Sequence, residues 1–127
     1  MIDAIVLGGA IALVAILLYR QPRWTAYDPG WLVEAAAREY PDQPRLAAAL
    51  ARCTRARRES AAYVHFVSAR RANQPGAEWQ FDSSLALEGT VHGTVILDIL
   101  RDGRIGGAEF LSLLLDRETL ETTDAEH

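Results

Sequence analysis

Lysine is absent from the 127 residues, cysteine occurs once and histidine three times, and these scarcities exclude several functions. The lone Cys53 cannot close an internal disulfide, and neither a Cys-x-x-Cys pair nor a Cys/His cluster offers zinc spacing. It reads as a small residue on a helix face. No serine elbow, phosphate loop or metal-ligand spacing surrounds His65 or His92, which read as a strand residue and a loop residue rather than as bases. No enzymatic activity and no cofactor are expected. All thirteen basic residues are arginine and alanine is abundant, a composition that points to a GC-rich bacterial genome.

Basic residues are also missing ahead of the one long apolar run, Ile2 to Leu18 (IDAIVLGGAIALVAILL), whose only charge is Asp3. At ~1.5 Å rise per residue, the stretch through Tyr19 covers ~27 Å, close to the ~30 Å hydrocarbon core of a bilayer. The sequence therefore predicts one transmembrane helix over 1–19 and a single-pass protein of the bacterial inner membrane. Arg20 and Arg23 follow the run directly, which places the N-terminus outside and the C-terminus in the cytoplasm. Tyr19, Arg20, Arg23, Trp24 and Trp31 are the candidate lipid-facing residues, because amphipathic rings and arginine heads prefer the headgroup level. A cleaved signal peptide would want a basic n-region, a shorter apolar core and a small-x-small site, and ALVAILLYRQPRW supplies none. Within the run no histidine is available as a haem ligand. Ala4, Gly8, Ala12 and Ala15 form a stripe of small residues on which another helix can pack, with general alanine richness as the alternative explanation.

Charge is polarised along the chain. Residues 20–74 hold ten arginines against five acids, whereas residues 75–127 hold three against eleven. Anionic lipid is the expected partner of the basic half, at ~1 kcal/mol per closely placed arginine. Nucleic acid is not expected, since no stacking aromatics interleave the cluster Arg52, Arg55, Arg57, Arg58.

Four segments follow: the span at 1–19, a linker with basic juxtamembrane helices at 20–60, an antiparallel β domain at 61–115, and an acidic tail at 116–127. The fold class is α+β. Asp28-Pro29-Gly30 favours a turn, WLVEAAAREY (31–40) reads as an amphipathic helix ended by Pro41, and RLAAALARCTRARRES (45–60) reads as a second helix. The apolar period then becomes strand-like, giving about four strands: AAYVHFVS, EWQFDSSLALEG and a hairpin in TVILDILRDGRIGGAEFLSLL. Asp102-Gly103 predicts a two-residue type I′ turn. The resulting register puts Val95, Leu97, Ile99, Ala108 and Phe110 on a core face, with Ile96, Asp98, Leu100, Ile105, Glu109 and Leu111 on the other. Asp98 and Glu109 lie there on a diagonal of ~7–8 Å, and are the candidate ligand or metal residues.

VILDILRDGRIGGAEFL resembles the closing hairpin of a family of small bacterial domains of unknown function, whose pattern runs V-D-x-D-x-D-G-R-I-x-G-I-E-I-L. AAYVHF is similar to that family's early Leu-Tyr-Ile-x-Phe strand, so the likeness covers about residues 59–115. It implies a compact antiparallel β domain and no known activity. Leu100 departs from the pattern, where a second acid is common. The same stretch imitates an EF-hand loop with Asp98, Asp102, Gly103, Ile105 and Glu109 in register, but Leu100 removes one ligand and the β-branched TVIL is a poor entering helix.

The functional expectation is a non-enzymatic, single-pass accessory or assembly subunit that docks on the cytoplasmic face of a larger membrane complex, with other membrane protein subunits as partners. The alternative is a membrane-tethered metal- or small-ligand-binding module using Asp98 and Glu109.

Overall fold

The computed structural model describes residues 23–114. Thr25–Ala26 (β1) opens the chain, followed by helices Gly30–Glu39 (α1) and Pro44–Ala51 (α2). Five strands come next: Arg55–Ser60 (β2), Tyr63–His65 (β3), Phe81–Thr90 (β4), Gly93–Leu100 (β5) and Ile105–Phe110 (β6). They form one antiparallel sheet in the order β1-β2-β3-β6-β5-β4. A further helical turn occupies residues 111–114.

Both helices lie on one face of the sheet. Leu32, Ala35 and Ala36 of α1 and Leu46 and Leu50 of α2 recur at helical spacing, and they bury against Val64, Leu87, Val95, Leu97, Ala108 and Phe110. Pro29 starts α1 by accepting the Leu32 and Val33 amides, and the Asp28 carboxylate takes the Gly30 N–H at 2.9 Å. Pro44 stands in the first turn of α2, where its missing donor costs nothing.

The sequence-derived architecture needs correction. Residues 1–19, assigned a spanning helix, lie outside the described residues, and among the described residues no helix is long and apolar enough to cross a membrane. The sheet has six strands rather than about four, so the fold class becomes a six-stranded antiparallel sheet with helices packed on one face, and the expected spanning helix is not among the described elements.

Two strands were hidden for physical reasons. Arg55–Ser60 lies inside the stretch expected to continue a helix, because arginine is a good helix former and RARRES shows no apolar alternation of its own to mark a strand. Helix α2 instead stops after Ala51, with the Cys53 N–H donating to Leu50 at 3.0 Å, and the next residues pair on both sides. Ala56 then points into the core while Arg55 and Arg57 stay exposed. A ladder satisfies the backbone of β2 on two edges, which outweighs the few tenths of a kcal/mol that separate arginine's helix and strand preferences. Strand β1 has only two residues and no periodicity to read.

The hairpin between β5 and β6 keeps the expected register from Val95↔Phe110 to Asp98↔Gly107 and then departs from it. Ile99 pairs with Ile105, so Gly106 is an extra residue, a β-bulge that turns Ile105 into the core. Its connection is not type I′: Gly103 has φ +87°, but Asp102 is not in the left-handed region. Leu100 accepts the Gly103 N–H and donates to the Arg104 carbonyl, both at 2.9 Å, the pattern of a three-residue loop with glycine in the left-handed position. Asp102 holds this turn through its carboxylate, which accepts the Arg104 N–H at 3.0 Å and Nε at 2.6 Å. The slight burial of that carboxyl works against ionisation, but these Arg104 contacts prevail and hold its pKa below the usual range.

Candidate functional site

Because both helices share one face, the opposite face is the accessible one, and register arranges it in rows. Ser84, Asp98, Gly107, His65 and Arg57 are lateral neighbours across five strands, and Ala86, Ile96, Glu109 and Tyr63 form the next row. The segment between β3 and β4 folds back over one end of this face, where Val67, Trp79 and Leu100 bury a second small core. The row Ala86-Ile96-Glu109-Tyr63 is half-buried, and of its members Tyr63 packs against that second core.

Two adjacent glycines make this arrangement possible. A Cβ on Gly107 would stand 2.3 Å from the Tyr63 hydroxyl oxygen, and one on Gly106 would stand 2.6 Å from the Trp79 ring. Their absence lets both rings lie across β6. Tyr63 thereby reaches over Gly107 to donate to Asp98 Oδ2 at 2.5 Å, while the Ser84 hydroxyl donates to Asp98 Oδ1 at 3.1 Å. His65 packs between the rings, 4.7 Å from Tyr63 and 5.6 Å from Trp79 by centroid. Its Nε2 lies 3.4 Å from Glu59, and its buried Nδ1 has no hydrogen-bond partner among the described residues.

Electrostatically the cluster keeps Tyr63 protonated. Burial, followed by donation to Asp98 and the nearby charges of Asp98, Glu59 and Glu109, raises its pKa well above the ordinary tyrosine value. A phenol so held is a hydrogen-bond strut rather than a proton donor near neutrality. Asp98 has each oxygen engaged by a hydroxyl. Glu109 sits in the neighbouring row, cross-strand from Tyr63 and Ile96. Among the described residues no group of three or more histidine, cysteine, aspartate or glutamate side chains is placed to hold a metal ion. The EF-hand likeness has no helical counterpart, since Asp98 and Glu109 both stand on strands of one sheet.

The other residues singled out in the sequence are dispersed. Ala4, Gly8, Ala12, Ala15, Tyr19 and Arg20 lie outside the described residues. Arg23 is exposed, and Trp24 is half-buried beside β2. Trp31 packs edge-on to His92 at 4.7 Å and near Phe110 at 5.9 Å, at the mouth of a cleft of about 560 Å³ shared with Tyr27 and Arg58. Cys53 is buried, which pushes its thiol pKa up to about 12. Sequence reasoning missed Tyr63 and Ser84 as partners of Asp98. The available signal was the Gly106-Gly107 pair inside a strand, a mark of close approach by another group.

Comparison of the chain with protein-family models, with curated proteins and with solved structures finds no match.

Proposed function

We propose that the chain is a non-enzymatic accessory or assembly subunit that docks on the cytoplasmic side of a larger bacterial membrane complex, using the accessible face of its sheet. The observation that carries this reading is the row Ala86-Ile96-Glu109-Tyr63, a sheet surface with both helices on its far side. An antiparallel sheet can leave one face to solvent, but such a face is then polar. Here Ile96 and Ala86 stand beside Glu109 and the Tyr63 ring, so apolar side chains share this half-buried surface with a carboxylate, a mixture that suits a partner surface. The apolar stretch Ile2–Leu18 and the arginines after it support placement at the inner membrane.

Extraction in mild detergent followed by sizing tests the proposal: the protein comigrates with a large assembly, and recovery as a lone monomer would refute it. The ligand-binding alternative has weaker support, because a metal or small ligand at Asp98 would have to displace the Tyr63 and Ser84 hydroxyls.

A further inference from the structure

Beside the His65 end of the same face is a cleft that docking does not use. It has a volume of about 410 Å³ and is lined by Trp24, Arg57, Glu59, His65, Ser68 and Arg70. Arg57 faces His65 across the β2-β3 ladder, and the segment after β3 brings Ser68 and Arg70 to the same place. Among the described residues neither Arg57 nor Arg70 pairs with a carboxylate, and neither guanidinium donates a hydrogen bond within the protein. The one acid in the cleft, Glu59, is turned to His65 Nε2 at 3.4 Å. Two uncommitted guanidiniums thus line one cleft with the Trp24 and His65 rings, and the Glu59 carboxylate there lies nearest to His65.

From this geometry we infer that the cleft is an anion site for a phosphate group, Arg57 and Arg70 supplying the charge and the donors. Guanidinium forks match phosphate oxygens in paired hydrogen bonds, which a single arginine on open surface cannot do with the same selectivity. The phosphate can belong to a lipid headgroup or be free in solution. Both present the same oxygens. The site lies on the same sheet face as the docking row but draws on other residues, since Ile96 and Ala86 stand in another row and do not line the cleft.

The test uses the full-length protein in a zwitterionic detergent, with the Trp24 indole and the Arg57 and Arg70 Nε–H groups followed by NMR. Inorganic phosphate is titrated first, and mixed micelles of phosphatidylglycerol or phosphatidylcholine second. A saturable shift at these three residues is expected, with Arg57→Gln and Arg70→Gln each weakening it about tenfold. Arg101→Gln, a charge-matched change in the exposed hairpin turn, should leave it intact. A response to inorganic phosphate assigns a soluble ligand, and one confined to phosphatidylglycerol assigns a lipid. No saturable shift with either probe overturns the site, as does equal weakening by Arg101→Gln, which would mean diffuse charge attraction.

Discussion

At the scale of single residues, Tyr63 and Gly107 are one device: a strand position without a side chain, and a ring that crosses it to reach Asp98. Gly107→Ala should cost ~1–3 kcal/mol, because the new methyl group collides with the phenol. In a Tyr63→Ala background most of that cost should vanish, leaving a coupling of ~0.5–3 kcal/mol in urea unfolding. Additive losses would show that the two residues do not meet. Tyr63→Phe should cost ~1–2 kcal/mol by leaving one Asp98 oxygen without its hydroxyl. The same variant tests the raised pKa. An unfolded tyrosine releases its proton near pH ~10 while folded Tyr63 retains it, so the stability due to this group is intact below that pH and falls as pH rises further. Wild type should therefore lose stability more steeply than Tyr63→Phe above pH ~10, and parallel curves would contradict the burial of the phenol. Cys53 makes a similar case. With its thiol raised to about 12 by burial, it should react with Ellman's reagent at pH 8 only after unfolding. Rapid labelling of the native protein would place it at the surface.

Secondary-structure elements differ in how far their sequence revealed them. Strands β5 and β6 were legible from Val95 to Ala108, because alternation and the Asp-Gly pair fix both face and register. The same reasoning failed at Gly106, since a bulge adds one residue without any change in composition. Helix α1 was legible through Leu32, Ala35 and Ala36, framed by Asp28-Pro29 and Pro41. Strand β2 was not, because RARRES owes its conformation to partners at Thr25–Ala26 and Tyr63–His65 rather than to its own propensities. At the site, Asp98 was identifiable as a carboxylate on the accessible face. Its engagement by Tyr63 and Ser84 was not, since those contacts bridge 35 and 14 residues of sequence. The turn offers an element-level test. Gly103→Ala should cost ~1 kcal/mol, because φ +87° disfavours a Cβ, and should leave the Val95↔Phe110 pairing intact by NMR. A shift of register would show that the loop, rather than the apolar faces, sets the pairing.

Over the whole molecule, the outer edge of β4 is managed by α1. The Tyr40 hydroxyl donates to Ala86 at 2.8 Å, Arg38 donates to Gly89 at 2.7 Å, and Glu39 accepts the Glu88 amide at 2.5 Å. These side chains occupy backbone groups that would otherwise invite another strand, so edge pairing is blocked along that half of β4. The docking proposed here uses the face rather than that edge. Ile96→Arg places a charge at the centre of that face without touching the helix-side core, and its own fold should stay intact by circular dichroism. The most direct measurement is sizing of a mild-detergent extract from cells carrying wild type or Ile96→Arg. Wild type should elute with a large assembly and Ile96→Arg should elute alone and folded. Wild type eluting alone, or Ile96→Arg remaining in the assembly, would contradict docking through this face.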